Sequence, residues 1–204
     1  MNNMLEIDMK ATKTLLLCGV GGQGTILASD LLSRTIQAAG LDVKMSEIHG
    51  MAQRGGAVTT IVRFGEHVNS MVCDTGSADY ILSFETTEAL RNISFLKTGG
   101  TLLVNDESMK PQPVLTGNAE MPANVEERLR ALGGVLIPAS KLAREAGSPK
   151  SANVVLLGAL AASMPFSTES WEAVIAAKVP PKTIEANILA FHLGLDAAKS
   201  EQNK

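Results

Sequence analysis

Thr14-Leu15-Leu16-Leu17-Cys18-Gly19-Val20-Gly21-Gly22-Gln23-Gly24 decides how this chain folds. An apolar run of strand length enters a glycine-rich turn, and from Thr25 onward Ile26, Leu27, Leu31, Leu32 and Ile36 recur on one helix face. Gly40 stops that run and residues 41–45 read as a second strand, so a βαβ unit with two parallel strands is predicted. Gly19, Gly21 and Gly24 satisfy G-x-G-x-x-G, the spacing that brings backbone close to an anionic ligand at a helix N-terminus. Glu47 stands 23 residues beyond Gly24, where dinucleotide-binding folds place the acid that holds a ribose. On this fingerprint the ligand would be NAD.

Two features pull the other way. Gln23 puts an amide where such loops carry a small apolar residue that lets helix and sheet approach. The elements that follow use nearly all of the 204 residues, which leaves no second domain to hold a substrate over a nicotinamide. The same glycines also suit a tight turn whose free N–H groups meet water or a partner chain. A dinucleotide site and a partner-facing turn both remain open at this point.

Beyond the second strand, residues 46–56 fit neither periodicity and read as a loop dense in chemistry: Ser46-Glu47-Ile48-His49-Gly50-Met51-Ala52-Gln53-Arg54-Gly55-Gly56. Residues 57–64 alternate as a strand, Gly65-Glu66 offers a turn, and 68–73 is expected to return as its antiparallel partner. Strands are predicted at 79–84, 101–105 and 135–138, with a helix at 86–97 closed by Gly99-Gly100. Residues 106–122 carry three prolines and read as an excursion, before helices at 124–132 and 140–146. The nearly all-apolar stretch 152–163 predicts a helix buried on most sides, and Pro180-Pro181 opens a last helix with Ile184, Ile188, Phe191 and Leu195 inward. The expected fold is a single three-layer α/β/α Rossmann-like domain over 1–204, core about 12–195, with a mostly parallel sheet and a β-hairpin insertion.

Composition narrows the function classes. Hydrophobic residues make up 45% and charged residues 19%, an ordinary globular balance. A net charge of −3 and 3% aromatics argue against a nucleic-acid partner. Cys18 and Cys73 stand 55 positions apart with no C-x-x-C spacing, so no metal or iron–sulfur centre is expected in this chain, and no disulfide. No apolar leader opens the sequence and no run is long enough for a membrane span, which predicts a soluble cytoplasmic protein.

Four motifs in order carry a resemblance. Gly19–Gly24 and Ser46–Gly56 are followed by Ala78-Asp79-Tyr80-Ile81-Leu82-Ser83-Phe84-Glu85 and by Asn153-Val154-Val155-Leu156-Leu157-Gly158-Ala159-Leu160. From about Thr12 to about Leu195 the chain resembles the gamma-type module of 2-oxoacid:ferredoxin oxidoreductases, most closely that of the indolepyruvate branch. The resemblance implies an oxidative decarboxylation of a 2-oxoacid that reduces ferredoxin and yields an acyl-CoA, with CoA as co-substrate. It also implies an obligate large alpha subunit holding thiamine diphosphate and [4Fe-4S] clusters. The sequence agrees, with no cysteine cluster and no Gly-Asp-Gly run followed by paired asparagines to hold thiamine diphosphate.

Because strand ends in a parallel sheet share one rim, the glycine loop, the 46–56 loop and the Asn105-Asp106 turn are expected to face ligand or partner together. Gly19, Gly21, Gly22, Gln23, Gly24, Glu47, Arg54, Gly55, Gly56 and Asn153 are the candidate rim residues, and His49 and Arg54 the candidates for chemistry. Arg54 suits a phosphate or carboxylate, or a salt bridge to Glu47 or to the partner. His49 can shuttle a proton or serve as a hydrogen-bonded loop residue. Asn153 can cap its helix or face an interface. A free-standing NAD(P)-dependent oxidoreductase and a non-catalytic small-molecule-binding module are the alternatives. Isolated, the chain would be free to pair with a second copy.

Overall fold

The computed structural model describes residues 11–50 and 55–202. Six strands, β1 (Lys13–Val20), β2 (Asp42–His49), β3 (Ala57–Gly65), β4 (Ala78–Ser83), β5 (Leu96–Asn105) and β6 (Val135–Ile137), form one sheet in the order β2-β3-β1-β4-β5-β6. Only β3 runs against the others; it is antiparallel to both β1 and β2, while β1, β4, β5 and β6 pair in parallel. Among the described residues there are eight α-helices, α1 (Thr25–Ala38), α2 (Thr86–Asn92), α3 (Gln112–Leu115), α4 (Val125–Ala131), α5 (Ala139–Glu145), α6 (Ala152–Ala161), α7 (Thr168–Lys178) and α8 (Ile184–Gln202), and all but the short, exposed α3 contribute to the packing on the two faces. This is the single α/β domain with a mostly parallel sheet that the sequence predicts.

Alternation along β1 explains the layering. Leu15 and Leu17 point to the face covered by α1, α6, α7 and α8, and Leu16 and Cys18 to the face covered by α2 and α4. All four are essentially inaccessible, and full burial of one leucine contributes about 1.5–3 kcal/mol. From Asn153 to Ala161 every residue of α6 is buried, as its apolar sequence predicts. Two glycines let α6 and α8 meet backbone to backbone. A Cβ on Gly158 would land on the carbonyl oxygen of Phe191, and one on Gly194 on that of Val155. The scarce aromatics gather beside this contact, with Phe64, Phe166, Trp171 and Phe191 in a row of ring centroids 6.2, 6.3 and 5.9 Å apart.

Four local expectations are corrected. Residues 68–73 form no strand; both edges of β3 are already paired, so no edge is left for a return strand. Side chains hold that segment instead: Asp42 Oδ2 accepts from Val68 N at 2.8 Å, Lys44 Nζ donates to the Val68 carbonyl, and Arg63 Nη1 donates to that of Ser70 at 2.7 Å. The hairpin is therefore β2–β3, and β1 and β2 share a direction without being neighbours. Ser46 to His49 continue β2 rather than opening a loop. Helix α2 ends at Asn92, whose amide donates to Glu88 O at 2.9 Å; Gly99 and Gly100 lie inside β5, at an irregularity of its ladder with β4.

Candidate functional site

β1, β2, β4 and β5 end at one edge of the sheet and β3 begins there, so the rim foreseen from the sequence exists. Within it the glycine loop and the residues before β3 are laced together. Gly21 N donates to Gly56 O at 2.9 Å, and Gly55 N to Gly21 O at 3.4 Å. Gly50 N donates to Ala57 O at 2.9 Å, closing the base of the same loop. The rim residues Met51 to Arg54, including the candidate Arg54, lie outside the described residues.

Gln23 explains itself in three dimensions. Its side chain folds back over β1, where Oε1 accepts from Val20 N at 2.8 Å and Nε2 donates to Phe84 O at 3.3 Å. A Cβ at Gly19 would sit 2.6 Å from that Oε1 and 2.8 Å from Phe84 Cβ, so glycine is what lets the amide tuck in. Asn105, buried at the end of β5, donates to the same Phe84 carbonyl at 3.2 Å and accepts from Ala139 N at 3.2 Å. One carbonyl thus ties the ends of β1, β4 and β5 to the start of α5.

Gly24 opens α1 in the left-handed region, at φ 81°, where a side chain would be strained. Its carbonyl accepts from Asn153 Nδ2 at 3.3 Å, and Asn153 Oδ1 accepts from Val154 N at 3.0 Å. Asn153 is not the N-cap expected of it: Ser151 occupies that position and Asn153 stands second in α6. Instead it pins the glycine loop to the central helix.

Beside the loop lies a cleft of about 460 Å³ lined by Gly21, Gly22, Gly24, Thr25, His49 and Gly50, among others. No side chain caps α1 and its first turn holds no acid, so its leading N–H groups favour negative charge there. Glu47 and His49 stand on one face of β2, with His49 Nε2 3.3 Å from Glu47 Oε2, and Glu47 Oε1 buried without a hydrogen-bond partner. The dinucleotide fingerprint fails in its geometry. β3 separates β1 from β2, which moves Glu47 about 5 Å further from the glycine loop than in a fold where the two strands adjoin. The amides of Val20 and Gly21 are already engaged within the protein.

Two buried acids were missed by sequence reasoning. Glu85 caps α2 and Glu88 lies in its first turn, both almost inaccessible. Their spacing, a glutamate soon after a strand with a second three residues on, does not set them apart from surface acids; their burial does. Beneath them, burial pushes the Cys18 thiol up to about 12, despite a hydrogen bond from Ser83, so Cys18 is an inert core residue. Among the described residues no cluster of three or more His, Cys, Asp or Glu side chains is placed to hold a metal ion, and no helix is long and apolar enough to cross a membrane.

Residues 14–197 match the family model described as pyruvate ferredoxin/flavodoxin oxidoreductase. The chain belongs to this family. Indolepyruvate oxidoreductase subunit IorB of Thermococcus kodakarensis is 45% identical over 195 residues, 91% of this chain and 95% of that relative. Its namesake in Archaeoglobus fulgidus is 36% identical, with 91% and 95% covered. A 2-oxoglutarate synthase subunit KorC of Methanothermobacter marburgensis is 32% identical, with 89% and 94% covered. The crystal structure of a keto/oxoacid ferredoxin oxidoreductase gamma subunit from Geobacter sulfurreducens superposes with a TM-score of 0.69 at 25% identity, covering 92% of this chain and 99% of that one. The chain is a small subunit of a 2-oxoacid:ferredoxin oxidoreductase, and a free-standing NAD(P)-dependent enzyme is not favoured.

Proposed function

We propose that this subunit works, as one domain, in a cytoplasmic indolepyruvate:ferredoxin oxidoreductase. A large alpha subunit would supply thiamine diphosphate and [4Fe-4S] clusters, aryl 2-oxoacids would be decarboxylated to acyl-CoA, and ferredoxin would take the electrons. The substrate class follows the names of the relatives at 36–45% identity. The observation that supports the rim's role is the closed glycine loop, in which Val20 N bonds Gln23 Oε1 and Gly21 N bonds Gly56 O, together with β3, which sets Glu47 a strand further from it. What stays open to a visitor is the cleft at the start of α1.

In this reading the rim closes over the partner's cofactor pocket and the CoA path. Gly19, Gly21, Gly22, Gln23, Gly24 and Asn153 set the loop's shape, while Glu47, His49, Arg54, Gly55 and Gly56 face the partner or the acyl acceptor. Co-expression with the large subunit, followed by assay of 2-oxoacid- and CoA-dependent ferredoxin reduction, tests it. Arg54→Ala should leave the subunits assembled and remove activity. Loss of assembly would instead assign Arg54 to the subunit interface, and an unchanged enzyme would remove it from both roles.

A further inference from the structure

On the flank of the glycine loop away from β3, a cavity of about 390 Å³ opens between the ends of β4 and β5 and the starts of α5 and α6. β2 and β3 lie to one side of β1 and β4 to β6 to the other, and open α/β sheets take ligands at such a divide. The cavity's floor is already fixed: Gln23 and Asn105 both donate to Phe84 O, at 3.3 and 3.2 Å, so both amides are engaged without a ligand. Three other lining side chains are not fixed. Glu107 and Lys150 share the cavity yet make no ion pair among the described residues, and Ser140 Oγ makes no hydrogen bond among them. Both charged residues are exposed, so a ligand can reach them. α6 begins beside Lys150 with no acid in its first turn, and Pro149 and Ala152 add apolar wall.

Opposite charges that line one cavity without meeting suit a ligand that carries both. A nucleotide would set phosphate against Glu107, and one carboxylate offers too few ligands for a divalent cation. The volume is that of a small-molecule site. We propose that this cavity binds a free α-amino acid with an apolar side chain. Its ammonium donates to the Glu107 carboxylate, and its own carboxylate accepts from Lys150 Nζ and Ser140 Oγ, with the start of α6 favouring the negative end. The apolar side chain lies along Pro149 and Ala152. The amino acid rests against Gln23, and so against the closed glycine loop. This site does not depend on the assembly reading, because the chain alone carries every group it uses.

Calorimetric titration of the purified full chain tests it, with phenylalanine and leucine as probes. Hydrocinnamate and phenethylamine serve as phenylalanine analogues that lack the ammonium and the carboxylate respectively. The expected result is saturable binding of the amino acids, with affinity about tenfold weaker or more for each analogue and for phenylalanine on the Glu107→Gln and Lys150→Gln chains. Both substitutions fall on exposed side chains and should leave thermal unfolding unchanged. Absence of saturable binding by both amino acids would overturn the proposal. So would either analogue binding as tightly as phenylalanine, or wild-type affinity in either variant.

Discussion

Gln23→Ala separates a self-closed loop from a ligand loop. The substitution removes the acceptor 2.8 Å from Val20 N, on a residue only 8% exposed, and a donor 3.3 Å from Phe84 O. Orphaning a buried N–H costs about 1–3 kcal/mol. The Phe84 carbonyl keeps Asn105 Nδ2 at 3.2 Å, so the second loss adds about 0.5 kcal/mol. Gln23 lies outside α1, so alanine's helix propensity offsets nothing. The sum is about 2 kcal/mol, which for a domain of this size lowers Tm by roughly 4–8 °C. Urea unfolding of the isolated chain reads it directly. Gln23→Glu keeps the acceptor for Val20 but turns a lone pair toward Phe84 O, and should fall between wild type and Gln23→Ala. A Gln23→Ala chain within about 0.5 kcal/mol of wild type would refute the closed loop, since a solvated surface side chain behaves that way.

Gly158→Ala should destabilise by about 2 kcal/mol or more despite alanine's better helix propensity, because its Cβ meets the Phe191 carbonyl across a rigid helix contact; denaturant titration checks it. Cys18 should resist a thiol reagent at mildly alkaline pH in the folded chain while half-buried Cys73 reacts, read by mass spectrometry. Asp30 joins α1 to α7 through Lys178 at 3.0 Å and also meets Arg34 at 2.9 Å. Burial raises its pKa, but these two cations outweigh it and hold the carboxyl below its ordinary value. Its stabilisation is therefore present above the ordinary carboxylate pKa and lost as pH falls through the lowered one. Asp30→Asn should flatten that acid limb of a stability–pH curve.

The parts of the fold legible in the sequence were those with one strong local period. The Leu15–Leu17 strand, the Leu31, Leu32 and Ile36 part of the α1 stripe and the nearly all-apolar α6 are each fixed by burial along their own length, whereas Ile26 and Leu27, expected on the same inward face of α1, are exposed at the rim end of the helix. Where pairing partners decide, the sequence was silent. Residues 68–73 alternate well enough for a strand, yet β3 inserts between β1 and β2 and uses up its own edges. That insertion also breaks the dinucleotide reading, since G-x-G-x-x-G and a downstream acid count residues and not the strand placed between them. In the site, Gly19, Gly24 and Asn153 were visible as residues but not as a unit. The Gln23–Phe84–Asn105 tie joins positions up to 82 apart in sequence, and no local pattern announces it. Glu85 and Glu88 went unnoticed because burial, not sequence spacing, distinguishes them from ordinary surface acids.

The central claim is that the rim docks on a cofactor-bearing subunit and holds no dinucleotide. Reconstitution from separately purified chains tests it most directly, with ferredoxin reduction by indolepyruvate and CoA followed alongside NAD(H) binding to the small chain alone. Activity that appears only when both chains are present, with no saturable NAD(H) binding by this one, is the predicted result. Saturable NAD(H) binding to the isolated chain, abolished by Gly21→Val, would contradict it.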